Sequence, residues 1–184
     1  FGSINFYNSN VEIKNVSFKD ISSEDAVNII KSNYKIDDVE FNEILSDAID
    51  IDFGTGEIIN SNFKNIGNDG IDFSGSESTV LNCNFNNIGD KIISIGEVSE
   101  VDISNIKGKN SYIGIVSKDG SNAFVKNIQF ENVKIPFSAY QKKPEYSFAK
   151  MNISNIKSDN YLIDSIRDKK SKIFENNNEI EKFT

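Results

Sequence analysis

Apolar and polar positions alternate along the chain in short runs, and the runs return at a spacing close to 22 residues. The pattern is plainest between Ser46 and Ser76. There Asp47-Ala-Ile-Asp-Ile-Asp-Phe returns as Asp69-Gly-Ile-Asp-Phe, and Asn60-Ser-Asn-Phe-Lys-Asn-Ile returns as Asn82-Cys-Asn-Phe-Asn-Asn-Ile. Alternation with period two predicts strands, because successive side chains of a strand point to opposite faces. Strands separated by Asn and Gly turns and repeated at one fixed length predict a stacked β solenoid.

Phenylalanine sets the register. Phe18, Phe41, Phe63, Phe85, Ile103, Phe130 and Ile153 read as one inward column, at intervals of 23, 22, 22, 18, 27 and 23 residues. Three residues later comes a second apolar column from Ile21 to Ile156. Five residues earlier comes a third, which includes Val80, Val98, Val125 and Phe148, and two residues earlier a fourth, which includes Cys83, Val101 and Met151. One coil cannot bury such side chains alone. Stacking at about 4.8 Å per coil buries them and pairs each strand with the coils above and below. Three residues before each column member stands a turn residue: Asn15, Asp38, Asn60, Asn82, Glu100, Asn127 and Lys150. Asn tolerates the left-handed backbone that tight turns need, and stacked amides bond one another. This ladder reads as broken at Glu100 and Lys150.

A further strand follows. Val27, Ile49, Ile71, Ile93 and Ile113 are expected to point inward, as are Ile29, Ile51, Phe73, Ile95 and Ile115. Alternation then turns Asn28, Asp50, Asp72, Ser94 and Gly114 outward. Asp25, Asp47, Asp69, Lys91 and Ser111 precede that strand and collect acids at one corner. The expected fold is all-β: a single-stranded right-handed parallel β-helix of about seven coils over residues 1–166. Residues 167–184 are expected to form a last coil, a cap or a disordered tail. Loops are expected at Gly108–Asn122 and Lys134–Tyr146.

The 28 acidic residues outnumber the 20 basic ones, for a net charge of −8, with no histidine. Such a surface repels phosphates, which argues against nucleic acid as a partner. No apolar run approaches the roughly 18 residues of a membrane helix, so membrane insertion is not expected. The chain opens inside a repeat without a Met, which reads as a piece of a longer protein with other domains as partners. The lone cysteine, Cys83, stands in an inward column and reads as a small buried apolar residue.

On these columns the chain resembles the right-handed parallel β-helix superfamily, the pectate-lyase-like fold. A narrower, degenerate similarity to polygalacturonase-type motifs rests on Asn68-Asp69-Gly70 and, one coil on, Gly89-Asp90-Lys91. In that family a second acid stands where this chain has Lys91, and a histidine follows that this chain lacks. The resemblance implies a secreted or cell-surface protein and a polysaccharide or other glycan as partner. It also implies Asp69, Asp90 and Lys91 as catalytic groups if the chain is a lyase or hydrolase of acidic glycans.

The acid corner admits three readings. Asp25, Asp47 and Asp69 serve as turn residues that accept backbone N–H bonds. Alternatively Asp25, Asp47, Asp50, Asp69 and Asp72 bind Ca2+, since hard cations favour several carboxylate oxygens. Or the acids and Lys91 do chemistry. The best functional expectation is a carbohydrate-binding β-helix module without clear catalytic apparatus, with Asn28, Asp50, Asp72 and Tyr112 touching the glycan. A polysaccharide-active enzyme and a rigid spacer are the alternatives.

Overall fold

The computed structural model describes residues 2–180, and among them it contains strands and turns but no helix. No helix is therefore long and apolar enough to cross a membrane among the described residues. Phe1 and the last four residues of the expected tail, 181–184, lie outside the described residues. The first coil is β1 (Ile4–Tyr7), β2 (Asn10–Lys14) and β3 (Ser17–Ile21). The second is β4 (Asp25–Ile30), β5 (Asn33–Asp37) and β6 (Glu40–Ile44), and the third is β7 (Asp47–Asp52), β8 (Thr55–Ile59) and β9 (Asn62–Ile66). Then come β10 (Ile71–Ser74), β11 (Glu77–Leu81) and three strands that run on around corners: β12 (Asn84–Gly96), β13 (Glu100–Lys118) and β14 (Asn122–Tyr140). The chain closes with β15 (Lys150–Asp159), β16 (Ser165–Arg167), β17 (Lys172–Glu175) and β18 (Asn178–Glu179).

These strands stack in three parallel faces. The first runs β1, β4, β7, β10, β12, β13, β14 and β16, which is eight levels. The second begins at β2 and ends at β17, and the third begins at β3 and ends at β15. The chain is a right-handed parallel β-helix of about eight turns, one more than the sequence count. The pair β17–β18 is antiparallel and folds back over the last coil. Arg167, buried at 4% exposure, ties that end together by donating to Ser171 O, Ile180 O and Glu179 Oε1.

Phe18, Phe41, Phe63 and Phe85 pile along one axis with ring centroids 4.5–5.0 Å apart and planes within 9° of parallel. The expected column holds to that point and then departs. Gly108, not Ile103, lies over Phe85, and Phe130 lies over Gly108. Ile103 and Ile153 belong to the second face, in line with Val80 and Val125. They take the places expected for Val98 and Phe148, which are 62% and 36% exposed. Val101 and Met151 likewise sit one row over, level with Ser78 and Ala123. Phe174 pairs with Asn152 on the second face instead of extending the Phe column. The cause is volume. A Cβ on Gly108 would stand 2.5 Å from Ile92 Cδ1 and 2.8 Å from Phe130 Cδ1, so neighbours already fill the missing ring's space. A register drawn from apolar residues alone steps past a glycine.

With that correction the coils stay regular. No loop protrudes at Gly108–Asn122, because β13 runs through to Lys118 and β14 starts at Asn122. The extra residues lie between β14 and β15, where Ala123 pairs with Met151 and Phe130 with Ser158. Of the expected loop at Lys134–Tyr146, the first half is strand and only the part after Tyr140 is loop.

From Asn60 to Asn155 the asparagine ladder is unbroken. Asn105 and Asn155, not Glu100 and Lys150, hold the turn positions, with φ of 56° and 53°. Nδ2 of Asn82, Asn105, Asn127 and Asn155 each donates to Oδ1 of the residue one coil below, at 2.6–3.2 Å. A second ladder, at Asn65, Asn87, Asn110 and Asn132, stands five residues on, again at positive φ; Asn87 donates to Asn65 and Asn132 to Asn110, while Asn110 donates to Asn86. At the remaining corner, buried Ser32, Ser76, Ser99 and Ser121 accept the turn amides of the preceding coil. Replacing Asn82 with Ala is therefore expected to cost about 1–2 kcal/mol, from left-handed strain and two lost ladder bonds. Asn82→Gly is expected to cost less than Asn82→Ala, since glycine takes positive φ freely. Urea unfolding of the two variants checks the order.

Candidate functional site

The site is built on the first face. Val27, Ile49, Ile71 and Ile93 point inward and are continued by Ile115 and Phe137, while Ile113 pairs with Lys91 at the corner. The outward row is therefore Asn28, Asp50, Asp72, Ser94 and then Val116, not Gly114. Ser111 pairs with Ile88 and Val133 and leaves the acid corner. The expected corner column is otherwise present: Asp25 pairs with Asp47, and Asp69 and Lys91 follow. Tyr112 stands outside the outward row, half exposed, with Lys134 Nζ 5.3 Å above its ring.

The two rows do different work. In the corner row Asp47 and Asp69 accept from the coil above. Asp47 Oδ1 accepts from Asn68 Nδ2 at 2.7 Å and from Asp69 N at 2.8 Å, and Asp69 Oδ1 accepts from Lys91 N at 3.0 Å. This is turn capping, repeated. Lys91 Nζ then lies 3.3 Å from Asp69 Oδ1 and bonds Asp90 Oδ2, so Asp69, Asp90 and Lys91 do meet. Burial works against the Lys91 ammonium, but the two carboxylates outweigh it and hold its pKa above the ordinary lysine value. A lysine base needs a lowered pKa, so Lys91 acts here as a charged clamp.

The outward row is less well matched. Asn28 Nδ2 donates to Asp50 Oδ2 at 3.1 Å and reaches Asp25 Oδ2 at 3.5 Å. Lys118 Nζ stands 3.7 Å from Asp72 Oδ1. Gly96 makes room for that side chain, since a Cβ there would lie 2.9 Å from Lys118 Cε. Asn28 Oδ1, Asp72 Oδ1 and Ser94 Oγ are buried without a hydrogen-bond partner. Burial, then the charges of Asp52, Asp72, Asp25 and Asp47, push the Asp50 carboxyl up to about 8. Burial pushes Asp69 up to about 7, with Lys91 opposing and Asp72, Asp47 and Asp90 adding. Burial also raises Asp25, Asp47 and Asp52.

Several residues here escaped sequence reasoning. Lys118 and Tyr140 pair across one coil at the edge of this face. The loop after Tyr140 turns back so that Lys143 Nζ bonds Glu97 and Tyr146 OH donates to Glu97 Oε2 at 3.3 Å. Asp119 Oδ1 pins that loop by accepting the amides of Lys142 and Lys143, each at 2.6 Å. The 22-residue step from Gly96 to Lys118 was the available signal for Lys118, and the register slip at Gly108 hid it. Nothing in the spacing marked Glu97 and Lys143, which lie 46 residues apart.

Calcium does not fit these residues. It takes six to eight oxygens at about 2.3–2.6 Å. Among the described residues no group of three or more His, Cys, Asp or Glu side chains is arranged to hold a metal ion. Asp25, Asp47, Asp50, Asp69 and Asp72 are divided between two rows, and Lys91 and Lys118 take the places where a cation would balance Asp69 and Asp72. A separate shallow groove of about 530 Å³ lies on the second face beside Phe124, Asn152 and Phe174. It holds no comparable cluster of buried acids, so the first face is the better candidate site.

Fold and site together define a parallel β-solenoid with a partly buried acidic row along one face. No protein-family model, curated protein or solved structure matches the chain.

Proposed function

We propose that this chain is a carbohydrate-binding β-helix module of a secreted or cell-surface protein, of the pectate-lyase-like kind, and that a glycan lies along the first face. The observation that carries this reading is a row of buried polar atoms that no hydrogen bond reaches. Asn28 Oδ1, Asp72 Oδ1 and Ser94 Oγ stand on levels of one outward row, with Asp50 between the first two. Buried polar atoms are almost always bonded, and a repeated exception along one line asks for a repeated donor. A polyhydroxylated chain lying parallel to the helix axis supplies one. Tyr140 and the loop carrying Lys143 and Tyr146 flank the row at one end.

A glycan array probed with the whole chain tests this. Binding to at least one extended glycan is expected, weakened about tenfold or more by Asp72→Ala. Silence across neutral, amino and acidic glycans would sink the reading and favour a rigid spacer. A second reading, a polysaccharide lyase or hydrolase, is favoured by one observation: Asp69, raised to about 7, sits against Asp90 and Lys91. A carboxyl still protonated near neutrality is what a general acid requires. Release of product that Asp69→Asn abolishes would favour the enzyme.

A further inference from the structure

We propose that the ligand of the first face carries protonated amino groups, and that its chemical class is an extended polymer of free amino sugars. The inference rests on the carbohydrate-binding reading and narrows it. Its first ground is the balance of charge. Lys91 is spent on Asp69 and Asp90, and Lys118 reaches only Asp72. Among the described residues no ion pair reaches Asp50, in the outward row, or Asp52, two residues along the same strand. The face therefore holds more acidic groups than ammonium groups to pair with them, and a further ammonium of the kind that Lys91 and Lys118 provide would complete the pairing.

The second ground is independent of charge. Asn28 and Ser94 are 7% and 0% exposed, and Asn28 Oδ1 and Ser94 Oγ have no partner. With Asp72 Oδ1 they mark three of four successive levels, Asn28, Asp72 and Ser94, with Asp50 between the first two. Asn28 Oδ1 and the Asp72 carboxylate can only accept, so a ligand that meets them must donate. Ammonium groups donate three bonds each and accept none, and sugar hydroxyls donate one. The step between levels, about 4.8 Å, is close to the advance per ring of an extended β-linked glycan, so successive rings face successive coils.

Competing ligands fit less well. A divalent cation lacks a cage among the described residues. An acidic glycan would add anions to a face that already lifts its own carboxyls. Asp50, raised to about 8, must give up its proton when an ammonium pairs with it, so binding near neutrality is accompanied by proton release.

Titration calorimetry of the whole chain with a β-1,4-linked glucosamine oligomer, its N-acetylated counterpart and oligolysine tests the proposal. The free amino oligomer is expected to bind about tenfold or more tightly than the acetylated one. Its advantage should disappear in Asp50→Asn and Asp72→Asn but persist in Glu131→Gln on the third face. Its heat should also change with the ionisation enthalpy of the buffer, as proton release requires. Melting curves confirm that each variant is folded, and with two separate acids tested the loss of one fold leaves the other variant to decide. Equal affinity for both oligomers overturns this inference and leaves the carbohydrate reading standing. Binding of neither oligomer overturns the inference, and silence across all glycans overturns the broader reading too. Oligolysine binding as tightly as the amino oligomer overturns the assignment to a sugar.

Discussion

Replacing Phe63 with alanine is expected to destabilise the chain by about 3–5 kcal/mol, the range for deleting a buried aromatic ring. Phe63 is 1% exposed and stacks on two rings at once, Phe41 at 5.0 Å and Phe85 at 4.5 Å. Its loss opens a hole in the middle of the column, and neighbouring coils cannot close on it without breaking their own strand pairing. In a solenoid, stability is roughly a sum of repeat terms and nearest-neighbour interfaces, so a central deletion weakens two interfaces. Phe18 offers the internal comparison. It is 8% exposed and stacks on one ring, Phe41, at 4.9 Å. Phe18→Ala is expected to cost visibly less than Phe63→Ala in urea unfolding. Equal losses would mean that the column is not the cooperative unit.

Raising the pH from about 5 to about 9 is expected to destabilise the wild-type chain more than an Asp50→Asn variant. An unfolded aspartate titrates near 3.9, by the usual reference value. Asp50 titrates at about 8 and Asp69 at about 7 in the folded chain. Between the unfolded and folded values the native state holds protons that the unfolded state lacks, so stability is fullest below about 4 and is lost as pH rises through the folded values. Every tenfold difference in proton affinity between the two states corresponds to about 1.4 kcal/mol. Asp50 is half-buried, and after allowance for solvent its contribution is on the order of 2–3 kcal/mol. Carboxyls held low, such as Asp37 bonded by Asn60 and Lys14, change protonation only at acid pH and leave this window untouched. Asp50→Asn keeps an oxygen for Asn28 Nδ2 and removes the titration. It should be the more stable protein at high pH, with a flatter profile of melting temperature against pH. Parallel profiles across this range would show that Asp50 titrates normally.

Much of the architecture was legible because like residues touch like in a solenoid. Phe18 to Phe85, the paired acids Asp25 and Asp47, and the inward Val27–Ile93 row all followed from spacing, and the structure places them so. Spacing failed where chemistry changed without a change in length. Gly108 keeps its place in the Phe column without being apolar bulk, and the assignments downstream moved with it. The second asparagine ladder was present in the sequence as pairs five apart, Asn60 with Asn65 and Asn82 with Asn87, but a single-column reading passed over it.

The amino-acid sequence by itself determined the coil length, the turns and which side chains face the bore, since these depend on local backbone preference and on neighbours one repeat away. Only the tertiary structure decided which acids are matched by Lys91 and Lys118, which atoms are left without partners, and that Asp50 and Asp69 hold protons near neutrality. Those properties depend on burial and charge summed over several coils at once, and on a loop that brings Lys143 to Glu97 across two of them.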